Sequence, residues 1–560
     1  MPKPMRTAFS LLFTITLAFC ASLASAADYY VSPQGNDDND GTSASAPWRT
    51  IAKANRSVRP GDVVHLLGGK YVNDPIRPEQ SGTPEAPIRY RAYGDGEPVL
   101  TSDEPRGLEI AIDLRNRSHI RIEGIHVDGV EGHPKARVQH FVEIEKGSYN
   151  TIAGSSFRYA YGWHGIRIGE GSHNNKLVNN VIDFVGVFRD ENGQDYGDSI
   201  QINGGATSNL LQGNVVTRGA HNLLQVKGDR NVIRRNVFDN DWSAVAGKGA
   251  GGRNLSLMGR SNLFEENIVR NAGRSADVPS NAGMKTEGER NIVRRNLIYA
   301  NSKEGITSES RSGSKIARDN RIYHNTFYGN GGPAWGLVFY EGGEGVTGNV
   351  FKNNIVYGNR RDPSITEGDL LFRLESNPSG EVGQSIIEGN LIAKSSGNDA
   401  TIELRGVGAA LDLAEAEKRF DAHFRGNIEA EPIFASPDPQ EPQDFALQPG
   451  SPGIDAAVPL TYTRAGGSGK VVPIEDPAYF TDGFGVTLGD VIRIGKSRPT
   501  RVMKVDYEAS TLTLADPVQW SQGEPVTLDY RGSGPDIGAV ESGLEFRRPK
   551  SPGGVTAWIR

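Results

Sequence analysis

The phrase GDRNVIRRNVFDN, residues 228–240, returns sixty residues later as GERNIVRRNLIYAN, residues 288–301. Related phrases surround it. Lining up one asparagine per unit that precedes a β-branched or aliphatic residue gives Asn180, Asn214, Asn236, Asn267, Asn296, Asn325, Asn354 and Asn390. From Asn267 to Asn354 the step is a constant 29 (296−267, 325−296, 354−325); elsewhere it runs from 22 (236−214) to 36 (390−354). A period of this size marks a solenoid whose units each stack only on their neighbours. Within a unit the apolar residues alternate, as in NVIRRNVF, which is the period of strands and not of helices. An asparagine beside a strand suits a turn where its side chain satisfies local backbone or an asparagine on the next coil. The repeated phrase is therefore expected to form one corner of a coil, with its asparagines stacked in a ladder.

Composition agrees. The 560 residues include 69 glycines, and only 37% are hydrophobic, as many turns and short strands require. Residues 1–26 have the pattern of a secretory signal peptide: Lys3 and Arg6, a mostly apolar run from Ala8 to Ala18, and Ala24-Ser25-Ala26 as a small-x-small cleavage site. The expected mature chain starts near Ala27 and is secreted or periplasmic. It is soluble and lacks cysteine, because Cys20 leaves with the leader. Without Lys3 and Arg6 the 61 basic residues become 59 against 68 acidic, a net charge of −9. That balance argues against nucleic acid as a partner. An acidic polymer is compatible with it, since a basic groove can lie on an acidic body.

The chain resembles the right-handed parallel β-helix family of secreted polysaccharide lyases, glycosidases and C5-epimerases. The resemblance begins at DYYVSPQGNDDNDGTSASAPWRTIAKANRSVRPGDVVHLLGGKY (28–71), which is similar to the family's entry segment of a first strand, a short capping helix and a first coil. It closes with SPGIDAA (451–457) and PDIGAVE (535–541), similar to its terminal phrases. The implied fold is all-β: a right-handed parallel β-helix over 27–460, and a terminal segment and tail over 534–560. Residues 461–533 lack the asparagine repeat and alternate apolar residues with turn signals. They are expected to form a small antiparallel β module that caps the open helix end; carbohydrate binding is the other reading. One fold hosts several chemistries, so the reaction has to be read from a site.

The repeat serves as a ruler for that site. Aligning FVEIEKG, GIRIGEG, SIQINGG, LLQVKGD, LSLMGRS, GMKTEGE and GITSESR puts Ile166, Ile200, Leu224 and Met284 inward. Two outward columns result: Glu143, Arg167, Gln201, Gln225, Ser256, Lys285, Thr307, and Glu145, Gly169, Asn203, Lys227, Met258, Glu287, Glu309. A third, three places upstream of the first, reads His164, Asp198, Asn222, Arg253, Ala282, Glu304. Seven coils at about 4.8 Å make a polar ribbon on the order of 30 Å long, enough for several sugars.

Cleaving a uronate polymer by β-elimination requires a cation or donor to neutralise the carboxylate, a base for the C5 proton, and an acid for the leaving oxygen. Lysine serves as base where burial or neighbours disfavour its charge. Lys227 is the first candidate, then Lys285 and His221, with Arg253 facing the substrate carboxylate. Gln201, Asn203, Asn222, Gln225, Lys248 and Glu287 are candidate substrate contacts. In RDENGQDYGDS (189–199), Asp190, Glu191, Asp195 and Asp198 are candidate Ca2+ ligands, being hard oxygens around a glycine-containing turn.

Each has a plainer role available. Surface lysines keep solenoids soluble, Lys285 and Glu287 make an ordinary surface pair, His221 satisfies a turn, and acidic loops are commonly just solvated. The favoured reading is a monomeric polysaccharide lyase. A glycoside hydrolase using two of Asp198, Glu287, Glu304 and Glu309, a C5-epimerase, or a glycan-binding β-helix are the alternatives.

Overall fold

A computed structural model describes residues 26–546, except 104–106, 130–137, 187–196, 242–252, 275–281, 309–316, 332–336, 340–345, 360–372, 376–383, 394–401 and 406–408. The main body is a right-handed parallel β-helix whose typical coil holds three short strands, each paired in parallel with its counterpart one coil away. In the coil that carries the opening phrase these are Asn222–Val226, Val232–Arg234 and Val237–Asp241. Middle residues of the second strands, Leu211, Ile233, Phe264, Val293, Ile322 and Phe351, point into one continuous core and are buried.

The opening phrase proves to hold two corners, one on each side of Val232–Arg234. Each corner is a left-handed residue followed by a ladder asparagine: Arg230 and Arg235, then Arg290 and Arg295, have φ of 52 to 55°. A side chain in that conformation costs about 1 kcal/mol, and the asparagine that follows recovers it. Asn180, Asn214, Asn236, Asn267, Asn296, Asn325, Asn354, Asn390 and Asn427 form one ladder, each Nδ2 donating to the next Oδ1. A second runs Asn175, Asn209, Asn231, Asn262, Asn291, Asn320, Asn349. A third joins Asn254, Asn301, Asn330 and Asn359. The glycine that opens the repeated phrase is also required, because a Cβ on Gly288 would lie 2.0 Å from the Gly259 carbonyl oxygen one coil below.

Both ends of the core carry short helices. Ile51–Ser57, capped by Thr50, buries Ile51 and Ala54 beside the first coil. Leu413–Arg419, capped by Asp412, buries Leu413 and Ala416 beside the last. The C-terminal module is a six-stranded antiparallel sheet between Thr461 and Leu528. It lies along the flank of the helix instead of over its end. The first outward position is apolar and buried in five of the second strands, and Leu210, Val232, Leu263, Ile292 and Val350 join Ile474, Phe480 and Ile492 of the module in one cluster. Beneath it, Arg294 bridges Glu265 Oε2 at 2.7 Å and Asp490 Oδ1 at 2.5 Å, all three buried.

The closing phrase PDIGAVE packs on another flank, where Ile537 and Val540 meet Ile355 and Leu391. There the buried Nδ1 of His324 donates to the Asp536 carbonyl at 2.9 Å. Burial, with Arg295 nearby, lowers the His324 pKa to about 3. The unfolded chain takes this proton near the ordinary value of 6.5, so between pH 6.5 and 3 it binds more protons than the folded one. Stability from this group is complete above pH 6.5 and falls by about 1.4 kcal/mol per unit below it. His324→Asn, which keeps a residue tolerant of the left-handed backbone, is expected to show a shallower loss of stability over that window in denaturant melts.

Candidate active site

The first strands of successive coils, Val138–Ile144, His164–Ile168, Asp198–Ile202, Asn222–Val226, Arg253–Leu257, Met284–Thr286 and Ile306–Ser308, build the polar ribbon. Their register pairs Glu143, Arg167, Gln201, Gln225, Ser256, Lys285 and Thr307 in order, the column expected from the repeat. Ile166, Ile200, Leu224 and Met284 are buried beneath it. Alternation breaks at the start of these strands. Phe141 and Leu223 turn into the core next to Val142 and Leu224. The residues just before them therefore come to the ribbon's edge, which brings His164, Asp198, Asn222 and Arg253, also paired in register, beside the first column.

The middle of the ribbon is organised around Asp198, which is buried. Its Oδ1 accepts from His221 Nδ1 at 2.9 Å and from Asn222 Nδ2 at 2.7 Å, and its Oδ2 from Gln201 Nε2 at 3.1 Å. Gln201 Nε2 also reaches Gln225 Oε1 at 3.2 Å. Asn222 Nδ2 also lies 2.8 Å from His221 Nδ1. The carboxylate only accepts, so its hydrogen bond to His221 belongs to the tautomer with the proton on Nδ1, in which Nε2 keeps its lone pair. The His221 side chain is 52% exposed. Asn222 Oδ1, buried and without a hydrogen-bond partner, is an acceptor that a substrate hydroxyl would satisfy. One coil on, half-buried Arg253 has no side-chain partner among the described residues. Asp198, engaged by three N–H groups, acts here as a hydrogen-bond acceptor and not as an open cation ligand. Asp190, Glu191, Asp195 and Lys248 lie outside the described residues, as does Glu309.

Further along, Lys285 and Glu287 form an ion pair of 2.6 Å with side chains only 3% and 2% exposed. Ser256 Oγ donates to Glu287 Oε2 at 3.4 Å. This is a buried pair, where the sequence suggested a surface one. Lys227 is exposed, and Asn203 half-buried.

A cluster at the head of the ribbon escaped the sequence reading. His164 Nε2 hydrogen-bonds Glu143 Oε1, Arg167 Nε donates to Glu143 Oε2 at 2.7 Å, and Arg167 also holds Glu145 at 3.0 Å. His140 stacks on His164 with ring centroids 4.0 Å apart. Burial alone would raise the Glu143 pKa, but His164 and Arg167 outweigh it and hold the carboxyl below its ordinary value. Burial, then the His164 charge, lowers that of His140. Glu143, His164 and Arg167 stood in the aligned columns without a role. His140 occupies the register position one coil before His164, which extending that column would have shown. Next to it Trp163, 67% exposed, offers an aromatic face of the kind sugars stack on.

Residues 29–196 match the family model described as a Pel9A-like right-handed beta helix region, and residues 198–370 match one described as a right-handed beta helix region. The uncharacterized protein YwoF of Bacillus subtilis is 25% identical over 486 residues, 79% of this chain and 96% of that one. The pectate lyase PEL9 of Emericella nidulans is 25% identical over 354 residues, 59% of this chain and 79% of its own. A lacto-N-biosidase of Bifidobacterium longum is 39% identical over 101 residues, 16% of this chain and 6% of that protein. Among solved structures, that of pectate lyase Pel9A aligns with 93% of this chain and 98% of its own at 16% identity and a TM-score of 0.46. Among the described residues no helix is long and apolar enough to cross a membrane.

Proposed function

We propose that this chain, which belongs to the pectate-lyase-like family of right-handed parallel β-helices, is a secreted lyase that cleaves a uronate polysaccharide by β-elimination. One observation carries the reading. A half-exposed imidazole held through Nδ1 by a buried carboxylate immediately precedes Asn222, the register partner one coil away of Arg253, whose guanidinium has no side-chain partner among the described residues.

In this mechanism Arg253 binds the carboxylate of the sugar whose C5–H is to be removed and neutralises the charge that develops as the proton leaves. His221 Nε2 takes that proton. Asp198 fixes the imidazole's orientation and stabilises its charged form, as a buried carboxylate does for a catalytic histidine. The resulting imidazolium would return a proton to the leaving glycosidic oxygen of a sugar bound with that oxygen on the same face. Gln201, Gln225 and Asn222 would bind hydroxyls. Lys285 is already a donor to Glu287, so it serves as a placed charge rather than a base. Lys227 and Asn203 extend the carboxylate- and hydroxyl-binding strip.

Elimination needs the carboxylate, because only an adjacent acyl group makes C5–H removable. A polyuronate cleaved by the protein is therefore expected to become inert once its carboxyls are reduced to alcohols. Pectate, alginate and glycosaminoglycans, each with its reduced form, make the comparison. Equal cleavage of the neutral polymer would overturn the reading and turn attention to a hydrolase using Asp198 and Glu287.

A further inference from the structure

We propose that His140, Glu143 and His164, at the head of the ribbon, form a binding site for a divalent transition-metal ion of the zinc and cobalt class. The proposal does not depend on the elimination reading. One ligand atom from each residue lies within 4.8 Å of the other two. His140 Nδ1 donates to the His164 carbonyl at 2.8 Å, which fixes the tautomer and leaves Nε2 with a lone pair. A backbone carbonyl on the far nitrogen is the arrangement metal-binding histidines use. The two rings stack within 13° of parallel, so bringing both in-plane lone pairs onto one ion requires the His164 ring to turn, and His164 Nε2 faces Glu143 Oε1.

The second carboxylate oxygen of Glu143 is taken by Arg167, so Glu143 can offer one oxygen only. Two imidazole nitrogens and one carboxylate oxygen suit Zn2+ or Co2+, whereas Ca2+ takes six to eight oxygens. Binding would replace the His164–Glu143 hydrogen bond, His164 Nε2 releasing its proton to solvent as it becomes a ligand. Three protein ligands leave a fourth position for water or a sugar oxygen. Both histidines are half-buried, so that position is reachable. It sits one coil before Asp198 in the same column, where a bound glycan would pass.

The test is equilibrium dialysis of the purified protein against Co2+ and Zn2+, with metal content measured per chain and the visible spectrum recorded for the Co2+ form. The expected result is one equivalent of Co2+ with ligand-field bands, displaced by Zn2+ and untouched by excess Ca2+. His164→Ala is expected to weaken binding by more than the roughly 10–100-fold that loss of an outer-shell partner costs, with an unchanged melting profile. His140→Gln is the second variant should His164→Ala unfold. Substoichiometric Co2+ in the wild type, or affinity unchanged in a folded variant of either histidine, would overturn the proposal.

Discussion

His221→Ala is expected to lower kcat for the cleaved polyuronate by about 10²–10⁴-fold, the range of a positioned general base, with KM little changed. The imidazole is half exposed and sits at a strand edge, so its removal leaves no core cavity, and the fold should melt as the wild type does. Asp198→Asn should lower kcat too, because the amide can donate to Nδ1 and so permit the wrong tautomer. Added imidazole should restore part of the His221→Ala rate, since the space left is open to solvent. Arg253→Ala is expected to reduce kcat/KM with a marked rise in KM, as for a group that binds the carboxylate before and during proton transfer. Lys227→Ala discriminates: if it, and not His221→Ala, abolishes turnover, the exposed lysine is the base and the assignment to His221 fails.

Asn267→Ala should be the most damaging single change to the fold, at about 4 kcal/mol. Asn267 Oδ1 accepts from the backbone N–H and the Nδ2 of Asn236, at 2.9 and 3.0 Å. Its own Nδ2 donates to Asn296 Oδ1 and to the Ile233 carbonyl at 3.1 and 3.0 Å. All four hydrogen-bonding capacities of the amide are used, and every partner is out of reach of water. Truncation strands those groups in the core, where an unmade hydrogen bond costs far more than a made one returns. The left-handed Glu266 just before it, at φ 54°, loses its compensation as well. Denaturant melts of this variant beside Asn203→Ala, which removes a half-buried amide outside the ladders, give the comparison. A difference between them below about 1 kcal/mol would mean that the ladders are not what holds the coils in register.

The coils were legible because a parallel solenoid stacks like residues on like. Asn267, Asn296 and Asn325 repeat at 29 residues in the chain and touch in space. The ribbon's first column followed from the same ruler and from strand alternation. Where alternation fails, so does the ruler. At the start of each ribbon strand the core takes Phe141 and Leu223, which moves His140 to the edge against its parity. The buried Lys285–Glu287 pair was also opaque, since a column position says which way a side chain points and not how deeply it is covered. Arg234 and Arg235 look like one basic pair, yet Arg234 ends a strand and Arg235 is a left-handed corner residue. The flank position of the C-terminal module is visible only in hindsight: between Leu210 and Val350 an apolar residue follows every asparagine of the second ladder except Asn320, which precedes Arg321. That is more apolar surface than an uncovered solenoid would show.

The most direct measurement is ultraviolet absorbance during incubation of the wild-type protein with pectate, alginate and glycosaminoglycans, with calcium or with EDTA. β-Elimination creates a double bond conjugated to the uronate carboxylate, and no hydrolysis or epimerisation does. The account predicts a rise on at least one polymer, one chromophore for each new reducing end, and its loss in His221→Ala. New reducing ends without the chromophore would contradict it.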